Sequence, residues 1–112
     1  MQQRIPAVTV REAYERMIAE EPPLLLDIRE GWEYQPRRAV GAQLLPMSEL
    51  AARVGEIPRS RDVLIICEHG TRSQRVTAWL MRQGYTRVYD VLGGTDEWEK
   101  AGLPMEGNAK AG

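Results

Sequence analysis

Apolar residues recur at Val10, Ala13, Tyr14, Met17 and Ile18, the spacing of one face of a helix. Thr9 and Glu12 have capping-box spacing, so the helix is predicted to begin after Thr9. Pro22-Pro23 closes it, because neither residue suits a helix interior. Leu24-Leu25-Leu26-Asp27-Ile28 reads differently: a short, continuous apolar run is the pattern of a strand buried on both faces. A single helical turn is predicted around Glu30 to Tyr34, and a second strand over Ala42 to Leu45, stopped by Pro46. Ser48 starts a short helix with Leu50, Ala51 and Val54 inward, closed by Gly55 and Pro58. Asp62-Val63-Leu64-Ile65-Ile66 is the clearest strand and runs straight into Cys67. From Ser73 the pattern is helical, with Val76, Trp79, Leu80 and Gln83 on one face and Gly84 placed as a stop. Val88 to Leu92 is another strand, Gly93-Gly94 turns the chain, and Thr95 to Lys100 forms a last helix carrying Trp98.

Strands and helices therefore alternate, and each apolar strand reads as buried on both faces. The pattern predicts a three-layer α/β/α domain with a mostly parallel sheet. The 112 residues suit a single domain, placed over 1–107, with 108–112 as a flexible C-terminal tail. Lys+Arg number 15 against Asp+Glu 16, a net charge of -1, so no positive field favours a nucleic acid. The basic pair Arg37-Arg38 is too short to alter that. No stretch approaches the roughly 18 apolar residues that a bilayer span needs, so no membrane partner is expected. Met1 to Thr9 lacks the apolar centre of a secretory signal. One cysteine excludes an intramolecular disulfide, and a cytoplasmic, reducing location is expected.

That cysteine stands where ligands bind in open α/β sheets, at the carboxyl end of a strand. Cys67-Glu68-His69-Gly70-Thr71-Arg72-Ser73 joins the best strand to a helix N-terminus. Helix N-termini present unpaired N–H groups and partial positive charge, which stabilise anions. A compact loop can gather successive amides into a nest. Gly70 permits backbone angles that other residues resist, and Arg72 adds a planar fork of donors. A thiol in such a field ionises more readily than a free one, and a persulfide would be held by the same donors.

The loop resembles the active-site loop of the rhodanese family, Cys-x-x-Gly-x-Arg followed by Ser. The likeness runs over roughly residues 24–105. Leu26-Asp27-Ile28-Arg29-Glu30 with Glu33-Tyr34 resembles the family's Asp-x-Arg segment. Gly41-Ala42 resembles its Gly-Ala step, and Leu92-Gly93-Gly94 with Trp98 and Ala101-Gly102-Leu103-Pro104 resembles its C-terminal signature. One departure is Arg37-Arg38-Ala39, where the family has Gly-His-Ile. The resemblance implies a five-stranded rhodanese-like sheet. It also implies a sulfurtransferase that moves a sulfane sulfur from a donor such as thiosulfate, through a Cys67 persulfide, to a thiol or cyanide. A protein partner in a sulfur relay is compatible with it.

Each loop residue takes an expected role. Cys67 is the nucleophile, and Arg72 faces substrate or stabilises the thiolate. Ser73 is the helix N-cap, with a hydroxyl able to donate to sulfur. Gly70 is conformational and Thr71 contributes its amide. His69 is an exposed loop side chain, lacking a sequence-evident partner to orient it as a base. Glu68 opposes thiolate formation and repels anionic donors, or instead selects a cationic or neutral partner. Asp27 and Arg29 are expected to tie loops together as an ion pair, and the three tryptophans to be core or groove walls. No cofactor is called for. No metal site is expected, since one Cys and one His fall short of a tetrahedral set and no carboxylate cluster replaces them.

Two other readings compete. A phosphatase or arsenate reductase also surrounds an anion with Cys and Arg, but the rhodanese relatives with that activity have five residues between them; here there are four, Glu68 to Thr71. A non-turnover sulfur carrier would receive persulfide from a partner and release it slowly. With no second cysteine to resolve a persulfide, the acceptor has to come from outside in either case.

Overall fold

A computed structural model describes residues 4–107; the expected tail over 108–112 lies outside the described residues. Five strands form one parallel sheet in the order β1 (Ala7–Val8), β6 (Val88–Val91), β5 (Val63–Ile66), β2 (Leu24–Asp27), β4 (Gln43–Leu44). β5 is central, so Cys67 emerges from the middle of the sheet.

The continuous apolar runs exist because both faces of the sheet are covered. Successive side chains point to opposite faces. Leu24, Leu26, Val63, Ile65 and Val88 meet α3 (Met47–Arg53) and α4 (Thr71–Arg82) through Leu50, Val76 and Leu80. Leu25, Leu64, Ile66 and Val91 meet α1 (Val10–Met17) and α5 (Gly94–Lys100) through Val10, Ala13 and Trp98. The Tyr14 and Trp98 rings join α1 to α5 edge to face, 6.1 Å apart. α2 (Gly31–Tyr34) is the single predicted turn.

The Thr9 capping box forms, with the Glu12 amide donating to Thr9 Oγ1 at 3.1 Å and the Thr9 amide to Glu12 at 2.8 Å. Three short strands escape the sequence reading: β1, which extends the parallel sheet, and β3 (Arg38–Ala39) with β7 (Met105–Glu106), an antiparallel pair outside it. Two residues are too few to show a period. Three predicted inward residues are in fact exposed: Ala51 on α3, Gln83 after α4 and Ile18 after α1. Gln83 and Ile18 are the C-caps of their helices, where the apolar face has already left the sheet.

Candidate active site

The β5 alternation places the Cys67 side chain on the face of Val63 and Ile65, toward α4. The chain then reverses through Gly70, whose φ of +96° lies in the left-handed region. A Cβ there would sit 3.1 Å from the Gly93 nitrogen. This glycine, not Ser73, is the N-cap of α4, which begins at Thr71. The N-cap role expected of Ser73 is thereby corrected. Ser73 falls in the first turn, fully buried, with its hydroxyl turned inward to the sulfur.

Two amides converge on Sγ: Gly70 N–H at 3.1 Å and Ser73 N–H at 3.2 Å. The thiol donates to Ser73 Oγ at 3.2 Å. Cys67 is 1% exposed, so the sulfur lies at the bottom of the loop. The Thr71 amide, expected to take part, does not bond the sulfur; the amide partners are Gly70 and Ser73.

The start of α5 holds the loop from behind. Thr95 donates to the Cys67 carbonyl from its amide at 2.8 Å and its hydroxyl at 3.1 Å, and the Asp96 amide donates to the Glu68 carbonyl at 3.0 Å. This close approach needs Gly94, at φ +62°. A Cβ on Gly94 would overlap the Cys67 carbonyl oxygen and lie 2.7 Å from that of Glu68. Gly94→Ala is therefore expected to cost at least about 2 kcal/mol, from strained φ plus backbone displacement. Urea unfolding measures the loss, and Cys67 alkylation should change with it as the loop shifts. An unchanged midpoint would show that α5 does not brace the loop.

Charge around the loop is arranged in a network. Glu68, expected to oppose an anion at Cys67, accepts from Arg29 at 2.9 Å and from Arg37 at 2.9 and 3.0 Å. Its carboxylate thus sits in a network with two guanidinium groups, which it shares with Asp27 and Glu99, and does not stand alone beside the nucleophile. Arg29, 1% exposed, also binds Asp27, 0% exposed, and donates to the Arg37 carbonyl at 2.7 Å. Arg37 continues the chain to Glu99 at 2.8 Å. Arg72 is engaged by Glu33 through two bonds of 2.8 and 2.9 Å. That bond holds the Glu33 carboxyl below its ordinary range, outweighing burial, which acts the other way.

His69 is 69% exposed at its side chain, 3.8 Å from Asp96. Glu68, His69 and Asp96 bring possible ligand atoms within 4.8 Å of one another, a grouping not expected from the sequence. Both carboxylates already have partners, Glu68 in Arg29 and Arg37 and Asp96 in Lys100. A groove of about 780 Å³ opens beside the loop, with Trp32, Glu33, Arg37 and Glu68 on its wall. Trp32 is 78% exposed there, whereas Trp98 is core.

The sequence gives no site role to Asp90, Arg37 or Thr95, and Glu33 enters only through the resemblance of its segment. For Asp90 the visible signal is a carboxylate interrupting the apolar strand Val88 to Leu92. It is 3% exposed and accepts from the Ser73 hydroxyl at 2.5 Å.

Fold and loop together define an α/β domain built around a cysteine whose sulfur is cradled by main-chain amides. The sequence profile of the Rhodanese-like domain matches residues 9–101, and the chain belongs to that family. It is 42% identical over 91 residues to a sulfurtransferase of Allochromatium vinosum, covering 81% of this chain and 85% of that protein. It is 36% identical over 99 residues to the thiosulfate sulfurtransferase GlpE of Actinobacillus succinogenes, covering 88% of each. The crystal structure of a rhodanese-related protein from Thermoplasma volcanium superposes with a TM-score of 0.79 at 27% identity, covering 90% of this chain and 97% of that one. The activity class is that of a thiosulfate-type sulfurtransferase, acting in small-molecule sulfur transfer.

Proposed function

We propose that Cys67 is the nucleophile of this sulfurtransferase and that thiosulfate is a competent donor. The observation that carries the reading is the convergence of the Gly70 and Ser73 amides on Sγ. Donors fixed in place need no reorganisation when charge develops on the sulfur, which is how preorganised dipoles lower a barrier. In the first half-reaction the Cys67 thiolate attacks the outer sulfur of thiosulfate. An S–S bond forms to Cys67, the bond to the sulfonate sulfur breaks, and sulfite leaves with the electron pair. In the second, cyanide or an external thiolate attacks the outer persulfide sulfur and Cys67 departs as a thiolate. Two half-reactions through a covalent intermediate give ping-pong kinetics.

Contact of Glu68 with Arg29 and Arg37 lessens the electrostatic objection to an anionic donor. Arg72 serves such a donor from the rim only by loosening its hold on Glu33. The test is intact-mass measurement after thiosulfate, followed by cyanide. A +32 Da adduct on Cys67 that cyanide discharges as thiocyanate supports the enzyme. An adduct acquired only from a persulfide-donating protein, and not discharged by small acceptors, makes the chain a sulfur carrier in a relay. No adduct from any donor, or hydrolysis of an aryl phosphate, overturns the reading.

A further inference from the structure

Asp90 lies on β6 directly beside Ile65 of β5. Val88 belongs to the core that meets α4, and the alternation of the strand puts Asp90 on that same face, where the Cys67 side chain also points. The Ser73 hydroxyl stands between them, 3.2 Å from Sγ and 2.5 Å from Asp90 Oδ1. In this arrangement the thiol donates to Ser73 and Ser73 donates to Asp90, a continuous line of two protons ending on a carboxylate.

We propose that Asp90 is a positioning residue that takes up the Cys67 proton through Ser73, so that the thiolate forms without releasing a proton to solvent. The step is a paired transfer. The S–H bond breaks and its proton passes to Ser73 Oγ, while the Ser73 proton passes to Asp90. Thiol, hydroxyl and carboxylate become thiolate, hydroxyl and carboxylic acid, so the total charge of the buried group stays the same. Afterwards Ser73 donates to the sulfur, as a third donor beside the two amides. This inference rests on Cys67 being the nucleophile.

The surroundings suit an acceptor. Burial pushes the Asp90 carboxyl above its ordinary range, against a smaller opposing effect of the Ser73 bond. No ion pair among the described residues involves Asp90, while the other charged side chains around the sulfur each have an ion-pair partner. Glu68 in the loop is paired with Arg29 and Arg37, and Arg72 on α4 is paired with Glu33. His69 faces Asp96 of α5, which also holds Lys100, and the adjoining strand β1 carries no charged side chain. A carboxylate left unmatched by cations inside a protein is costly, and beyond the Ser73 hydrogen bond the relay offers it a neutralising proton.

The experiment follows Cys67 alkylation by iodoacetamide against pH, in the thiol form and in the persulfide form made with polysulfide, for the native protein, Asp90→Asn and Ser73→Ala. The persulfide's outer sulfur is the more acidic group and needs no relay. In both variants the thiol form should react about tenfold or more slowly at pH 7, on the scale of lost general-base assistance, and recover at higher pH. The persulfide form should react at the native rate in Asp90→Asn, and in Ser73→Ala, which also takes a partner from Sγ, it should slow by far less than the thiol form. A purely structural defect slows both forms together and overturns the proposal, as does a native profile in either variant. If Asp90→Asn does not fold, Ser73→Ala decides by the same comparison. The thiol profile requires no sulfur transfer, so failure of the native protein to gain +32 Da from any donor would fell the nucleophile assignment separately.

Discussion

Cys67→Ser is expected to abolish persulfide loading and to lower thiocyanate formation by at least about 10⁴-fold, the scale on which loss of a covalent nucleophile acts. The alcohol of serine is far less acidic than a thiol, and its oxygen cannot carry a transferable sulfane sulfur. Stability should change little. The serine hydroxyl can donate to Ser73 as the thiol does and accept from the Gly70 and Ser73 amides, so no buried donor is orphaned. A change within about 1 kcal/mol is expected, the net worth of an exchanged hydrogen bond. Intact mass after thiosulfate, the cyanide assay and urea unfolding together separate the two effects. Thiocyanate production that survives the substitution would take Cys67 out of the mechanism, since the chain has no other cysteine.

What the sequence made legible follows from how local each feature is. β2, β5 and β6 are read from apolar runs because burial of both sheet faces leaves a signature within four residues. The cysteine loop is equally local, since the strand end, the glycine and the helix start are contiguous. Its detail turned on one dihedral: the positive φ of Gly70 begins α4 at Thr71 and moves Ser73 from the cap into the first turn, where its hydroxyl accepts from the sulfur instead of donating to it. The ion network is not local. Arg29 meets Glu68 across 39 positions, and Arg37 meets Glu99 across 62. Arg37 read as half of a basic pair, and Glu68 as a charge beside a nucleophile. The fold makes them each other's partners. The placement of Asp90 opposite Ser73 likewise needs the register that sets it beside Ile65.

Arg29→Met is expected to destabilise the domain by about 3–5 kcal/mol, the cost of leaving one member of a buried ion pair behind. Methionine fills much of the space, so packing loss is kept small and the measured cost is chiefly electrostatic. Asp27, fully buried, would lose three side-chain hydrogen bonds and retain the Arg29 backbone amide at 3.0 Å. Against a typical domain stability of about 5–15 kcal/mol, this is a large fraction. The urea midpoint should fall with its slope unchanged. Asp27→Asn placed on top should recover part of the loss, because an amide leaves no unpaired charge. Loading of Cys67 should slow as well, because Glu68 in the loop would be held by Arg37 alone. Arg37→Ala is the contrasting case. Its side chain is 30% exposed and that of Glu99 is 54% exposed, so solvent screening limits the cost to about 1 kcal/mol or less. If Arg29→Met proved no worse than Arg37→Ala, the buried half of the network would not be what anchors the loop to β2, and the cradle would owe its geometry to the turn at Gly70 and the brace of α5.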